Sequence, residues 1–346
     1  MSWRNLLADS LTSADAVKRR FPAADTRGIE EAARQYPMRI NPYYWGLVKD
    51  IDDPLWRQAV PSSLELKDVV CEADPLAEEA LSPVANLVHK YPDRVLFLVS
   101  SQCAMYCRFC TRKRKVGTAE MVIDDATIAL GLDYIRRTPA VRDVLLSGGD
   151  PLLLSDERLE WILAEVRAIP HVDIIRIGTR VPCVLPMRVS QRLCTMLKRY
   201  HPLYINTHFN HPAELTAEAA SACGRLADAG ISLGCQTVLL RGVNDSPEVI
   251  KELLRGLLRM RVRPYYLFQG DMTRGTDHFR TRIETGLTIM KSLIGHVSGM
   301  AVPHFALDAP GGGGKIPLLP DYVIERGERL VFKNYCGEIC SYPDGY

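Results

Sequence analysis

A chain of 346 residues, 47% apolar and 24% charged, has the makings of a large α/β core with an appendage. Its formal net charge of +2 excludes a general attraction to nucleic acid or to an anionic membrane, and no apolar run approaches the roughly 18–20 residues that cross a bilayer. Ten cysteines behind a start, Met-Ser-Trp-Arg-Asn-Leu-Leu, that lacks an apolar signal segment read as a cytoplasmic protein and not a secreted disulfide framework.

Residues 1–92 are expected to form an N-terminal helical region and connector. Thr12-Ser-Ala-Asp15 has the form of a capping box opening a helix over Ala14–Arg20. A second short helix is expected over Ile29–Tyr36, stopped by Pro37. Tyr43, Tyr44, Trp45 and Trp56 are expected to pack against the main domain rather than serve as a binding platform. Residues 74–92 break up into a proline-containing connector.

Residues 93–300 show a different rhythm. Apolar, β-branched runs recur at 94–100, 141–147, 172–178, 203–208, 231–240 and 262–268, with helical stretches between most of them. Alternating strands and helices predict parallel βαβ units. Six such strands predict a partial (βα)6 barrel, open on one side, with the N-terminal helical extension before it and a further segment over 301–346 after it. In such barrels chemistry gathers at the C-terminal strand ends. Polar and glycine signals fall there: Ser147-Gly-Gly-Asp150, Thr179-Arg180, Asn206-Thr-His-Phe-Asn-His211, Gln236 and Gln269-Gly-Asp271.

Cys103, Cys107 and Cys110 follow the first apolar run at spacings of four and three residues. Three thiolates on a loop leaving a strand suit three irons of a 4Fe–4S cluster and leave the fourth iron open to another ligand. Cys71, Cys183, Cys194, Cys223 and Cys235 lie in apolar or helical surroundings and read as ordinary thiols. Cys336 and Cys340 have no further cysteine or histidine after them, so a metal site there is not expected. The run Asp308-Ala-Pro-Gly-Gly-Gly-Gly-Lys315 fails as a P-loop, with Ala309 where glycine is needed and Ile316 where Ser or Thr is needed. Its glycines make better sense if the backbone approaches a flat ligand while Lys315 reaches into it.

These features carry a family resemblance. The three-cysteine motif after one strand and Gly-Gly-Asp after the next resemble the radical S-adenosylmethionine enzymes. More specifically, Tyr91-Pro-Asp-Arg94, Cys103-to-Arg112, Asn206-Thr-His-Phe-Asn-His-Pro212, Gln236-to-Asp245 and Asp308-to-Lys315 resemble lysine 2,3-aminomutases, over most of residues 30–335. The resemblance implies a 4Fe–4S cluster on Cys103, Cys107 and Cys110, with S-adenosyl-L-methionine at its open iron. Gly148, Gly149 and Asp150 would form the turn by the methionyl amino group, and His208 and Gln236 would contact the same cofactor. It also implies pyridoxal 5′-phosphate bonded to Lys315, since only a primary amine forms an exchangeable imine. Lys90, Tyr91 and Arg94 match the phosphate-holding segment. Lys90 stands where arginine is usual, which keeps the charge without the fork.

Substrate choice is expected to follow charge. Arg112 would receive the substrate α-carboxylate, and Asp271 and Asp308 the ε-ammonium of L-lysine; two carboxylates would repel glutamate. The implied reaction converts L-lysine to L-β-lysine by a 1,2-amino shift started by the 5′-deoxyadenosyl radical. An electron donor such as flavodoxin or ferredoxin and a homo-oligomer are expected, with no nucleic-acid or membrane partner. Ser246 stands where longer relatives carry a cysteine, and the chain stops at Tyr346, so zinc is not expected. Three other readings compete: an aminomutase for arginine or glutamate, a radical enzyme docking RNA or protein on Arg112-Lys-Arg-Lys115, and an iron–sulfur electron carrier.

Overall fold

Every second residue along the central strands is apolar and buried, and this period of two builds the wall of a barrel. The computed structural model describes residues 2–344, and among them nine strands join one sheet in sequence order. β1 (Leu87–Tyr91) lies antiparallel to β2 (Arg94–Ser100). From β2 the sheet runs parallel through β3 (Asp143–Gly148), β4 (Ile174–Gly178), β5 (Leu203–His208), β6 (Ser232–Leu239), β7 (Arg263–Gln269) and β8 (His304–Ala309). β9 (Gly314–Pro317) folds back antiparallel on β8.

Five short helices precede the sheet: α1 (Trp3–Ala8), α2 (Ala14–Arg20), α3 (Thr26–Gln35), α4 (Pro42–Leu47) and α5 (Pro54–Ala59). Between the parallel strands lie α6 (Asp125–Arg136), α7 (Asp156–Arg167), α8 (Val181–Val184), α9 (Gln191–Leu197), α10 (Ala217–Asp228), α11 (Pro247–Arg259) and α12 (Ile283–Leu293). The six expected β–α units are therefore present, and a seventh parallel strand, β8, follows the last. β8 escapes the sequence reading because its short apolar stretch, Phe305-Ala-Leu307, has no β-branched residue and is bounded by His304 and Asp308. β1 escapes for a similar reason, with only Leu87 and Val88 buried before Pro92.

Val144, Leu146, Ile175, Ile177, Leu203, Ile205 and Leu233 point outward from the barrel wall and are buried under the helices. α6 covers them with Ile128, Leu132 and Ile135, α7 with Leu159, Ile162, Leu163 and Val166. Each such side chain contributes about 1.5–3 kcal/mol by leaving water. The alternate positions face inward and are largely polar: Asp143, Ser147, Arg176, Asn206, His208 and Gln236. Arg176 Nε donates to Asp143 Oδ1 at 2.8 Å across β3 and β4.

The aromatics of the N-terminal region do pack: Phe21 sets its ring edge-on to Trp45 and Trp56 at centroid distances of 5.4 and 5.3 Å. The capping box expected at the start of α2 is not formed, because Ser13 takes the N-cap position without a side-chain hydrogen bond. The last segment forms a small antiparallel sheet of β10 (Val323–Glu325), β11 (Arg329–Lys333) and β12 (Ile339–Pro343). No helix among the described residues is long and apolar enough to cross a membrane.

Candidate active site

The cysteine loop leaves the C-terminal end of β2 and is fastened from outside the barrel. Asn41 Nδ2 donates to Ala104 O at 3.1 Å, the Tyr106 amide donates to Arg39 O at 3.0 Å, and the Arg108 amide donates to Gln58 O at 2.9 Å. Arg108 itself is buried. Its guanidinium forks onto Glu65 at 2.9 and 2.6 Å, and Lys113 Nζ reaches the same carboxylate at 2.7 Å. Two cations on one buried carboxylate hold Glu65 below the usual carboxylate range despite its burial. The N-terminal helices thus act as the mould for the loop.

The turn after β3 presses against that loop. Gly149 donates its amide to Ser100 O at 2.5 Å and Asp150 donates its amide to Gln102 O at 2.7 Å. A Cβ on Gly149 would lie 2.5 Å from Gln102 O, and one on Gly148, at φ 119°, would lie 2.3 Å from Ser100 O. Both glycines are required by this approach. The Asp150 carboxylate points to β4, accepting from Thr179 Oγ1 at 2.7 Å and from the Arg180 amide at 2.8 Å. It ties two strand ends together beside the cysteines, and burial pushes its carboxyl above the usual range.

His208 and Gln236 occupy the ends of β5 and the middle of β6 on the inward face. Asn210 Oδ1 accepts from the Val238 amide at 3.0 Å, so the His208 Nε2 that meets this oxygen at 2.9 Å carries the proton. Burial and the nearby Arg180 charge push His208 down to about 3, which keeps the ring neutral with Nδ1 as an acceptor. Gln236 Oε1 accepts from the Tyr265 hydroxyl at 3.2 Å.

Across the barrel mouth, β8 and β9 form a hairpin whose bend is the glycine run. The register pairs Asp308 with Lys315, and Lys315 Nζ donates to Asp308 Oδ2 at 3.1 Å. The Lys315 amide donates to the Tyr91 hydroxyl at 3.1 Å, and its ammonium lies 5.3 Å from the Phe268 ring centre. Arg94 stacks its guanidinium 4.1 Å from the Tyr91 ring centre. Lys90 turns instead to Asp308, at 3.3 Å. Tyr91 and Lys90 on the first strand therefore meet Lys315 and Asp308 on the last two, and side chains span the side of the barrel that the backbone leaves open. Asp271, just past β7, is pushed up to about 7, by burial first and by the Asp308 charge second.

Arg112 is already engaged. Its Nε and Nη2 donate to the two Glu78 oxygens at 2.8 and 2.5 Å, which leaves Nη1 for another carboxylate. Of the rest of the basic run, Lys113 goes to Glu65 and the other two are matched by the same acidic connector: Arg114 pairs with Asp74 at 3.5 Å and with Glu79 at 2.6 Å, and Lys115 pairs with Glu79 at 2.7 Å. Glu65, Glu78, Gln58 and Glu214 were not singled out from sequence. Glu214 had one signal, three residues after His211 in capping-box spacing. Glu65 had the same signal, three residues after Ser62 in a capping box that the structure forms, whereas Gln58 and Glu78 carry no local pattern.

The side chains fit the groups that the motifs imply. Burial, and then the neighbouring Asp150 and sulfur charges, push the Cys103 thiol well up, and burial with Cys107 raises Cys110. Such thiols ionise when a positive centre lies among them, and cluster iron supplies one. Among the described residues no three His, Cys, Asp or Glu side chains close on a single ion; a cubane takes each thiolate on a different iron and does not require it. Arg180 Nε and Asn206 Oδ1 are buried without a protein partner among the described residues, as groups kept for a bound polar molecule are. Lys315, with 35% of its side chain exposed, offers an accessible primary amine.

Comparison with known proteins agrees. The radical SAM superfamily model matches residues 97–254 and the lysine-2,3-aminomutase model matches residues 290–346. L-lysine 2,3-aminomutase of Clostridium subterminale is 48% identical, over 99% of this chain and 84% of its own. The L-lysine 2,3-aminomutase of Methanococcus maripaludis is 50% identical, over 98% of this chain and 80% of its own. Glutamate 2,3-aminomutase of Clostridioides difficile is 42% identical, over 99% of this chain and 83% of its own. A cysteine loop built for an open cluster and relatives this similar over nearly the whole length agree: the chain belongs to the lysine 2,3-aminomutase family of the radical SAM superfamily.

Proposed function

We propose that this chain converts L-lysine to L-β-lysine. The observation that carries the reading is the pair of carboxylates, Asp271 and Asp308, set with Lys315 at the strand ends of a barrel whose first parallel strand feeds the three-cysteine loop. When bound, the cluster on Cys103, Cys107 and Cys110 would supply an electron for cleavage of S-adenosyl-L-methionine, and pyridoxal 5′-phosphate, held by Lys315 until the substrate amine displaces that lysine, would carry the substrate nitrogen during its shift.

The chain's own residues bind and orient. Arg112, steadied by Glu78, offers Nη1 to the substrate α-carboxylate. Asp308 would exchange its pairing with Lys315 for the substrate ε-ammonium, and Asp271 gives up its proton as the cation arrives. Gly148 and Gly149 keep the β3 turn against the cysteine loop, His208 and Gln236 line the cofactor's side of the barrel, Tyr91 and Arg94 would hold the phosphate end, and Lys90 would join them on leaving Asp308. Phe109, Leu240, Val243 and Phe279 form an apolar cluster beside Cys107 that keeps water away from it.

Two acidic groups disfavour glutamate as substrate. Pairing of Arg112, Arg114 and Lys115 with Asp74, Glu78 and Glu79 likewise disfavours an RNA- or protein-docking patch. A flavodoxin- or ferredoxin-type donor, a cytoplasmic setting and a homo-oligomer complete the proposal; ten unpaired cysteines suit a reducing compartment. The test is anaerobic loading with iron, sulfide and pyridoxal 5′-phosphate, then incubation with S-adenosyl-L-methionine, reductant and L-lysine, L-arginine or L-glutamate. L-β-lysine is the expected product; well-loaded protein that makes none overturns the reading.

A further inference from the structure

Arg180 has no role in the motifs that identify the family, yet it is the side chain most closely engaged with a cluster cysteine. It lies two residues past the end of β4, and its guanidinium is buried. Nη1 lies 2.8 Å from Cys107 Sγ, and Nη2 donates to Gln58 Oε1 and Glu214 Oε1, both at 2.7 Å. The plane is covered by Phe109, at 5.1 Å from its ring centre, and by Tyr44, at 5.8 Å. Glu214 is fully buried and fixed in turn by the Tyr44 hydroxyl at 2.9 Å and by the amides of Asn210 and His211 at 2.7 and 3.1 Å. A guanidinium stays charged under these conditions, so a permanent positive charge with fixed direction is held against one sulfur.

We propose that Arg180 is a positioning residue for the cluster, fixing the Cys107 sulfur and raising the cluster's reduction potential. The proposal rests on the reading of the three cysteines as cluster ligands. Reduction adds one electron and hence negative charge to the cluster, and an N–H⁺ donor on a ligand sulfur stabilises that state more than the oxidised one. Glu214 opposes this, because its carboxylate partly cancels the guanidinium. Loss of Arg180's charge and loss of Glu214's charge therefore shift the potential in opposite directions.

The experiment uses the full chain, reconstituted anaerobically as wild type, Arg180→Gln and Glu214→Gln, without S-adenosyl-L-methionine. Iron and sulfide are counted, and the reduced cluster is followed by electron paramagnetic resonance during a dithionite titration. Arg180→Gln is expected to lower the equilibrium constant for reduction about tenfold, a shift of about 59 mV to more negative potential for one electron. Glu214→Gln is expected to shift it to less negative potential. A merely structural role would reduce loading in both variants and leave the potential of the loaded fraction unmoved. An unshifted potential in loaded Arg180→Gln overturns the inference. If that variant assembles no cluster, an unchanged or more negative potential in Glu214→Gln overturns it. Wild type that assembles no cluster would overturn the reading of the cysteines and this inference together, whereas normal wild-type loading beside unshifted variants overturns this inference alone.

Discussion

Asp271 combines burial with a like-charged neighbour, and both favour its neutral form. Its carboxyl, ordinarily near 3.8, is pushed up to about 7 in the folded chain. A cationic substrate end binds the ionised form, so lysine binding below that value must expel a proton. Affinity for L-lysine is therefore predicted to strengthen as pH rises through about 7. Asp271→Asn should flatten that dependence and raise the Michaelis constant by roughly 10–100-fold, the scale of one buried charge-assisted contact. The stability of the ligand-free chain carries the opposite sign. Between 3.8 and about 7 the unfolded chain has lost this proton while the folded chain keeps it, so this group's contribution to stability falls as pH rises across that window. Thermal melts of wild type and Asp271→Asn across that range check the sign. A pH-independent difference between the two would contradict it.

The barrel strands were legible because six of them carry three or more apolar residues in a row or in alternation, with β-branched or aromatic side chains among them. β1 and β8 were not: β1 has two apolar residues before His89 and Lys90, and β8 carries no β-branched residue between His304 and Asp308. The three cysteines were legible as a spacing, but their support was not. Glu65 lies 43 residues before Arg108 and 48 before Lys113, and no local pattern links elements that meet only on folding. Glu65→Ala would leave two buried cations without their carboxylate. We predict a loss of about 3–5 kcal/mol in denaturant unfolding of the full chain, with reduced cluster loading. Stability within about 0.5 kcal/mol of wild type would show that the N-terminal region does not mould the loop.

Across the whole molecule, the sheet places its two halves of chemistry at opposite ends of its strand order. The cysteine loop follows β2, while Lys315 sits on β9, and the barrel's curvature brings β9 back to β1 so that Tyr91 meets Lys315. Substrate held between Arg112 and the Asp271–Asp308 pair would then span from the cluster side to the hairpin side. The arginine assigned from sequence to the carboxylate is present, but the structure adds its partner, Glu78, which no spacing announced. Isotope transfer distinguishes a radical amino shift through the adenosyl group from any other route to L-β-lysine. L-lysine deuterated at C3 is incubated with loaded enzyme, reductant and S-adenosyl-L-methionine, and products are analysed by mass spectrometry and NMR. Deuterium is expected at C5′ of recovered S-adenosyl-L-methionine and at C2 of L-β-lysine. L-β-lysine formed with no label in S-adenosyl-L-methionine would contradict a radical shift through the adenosyl group.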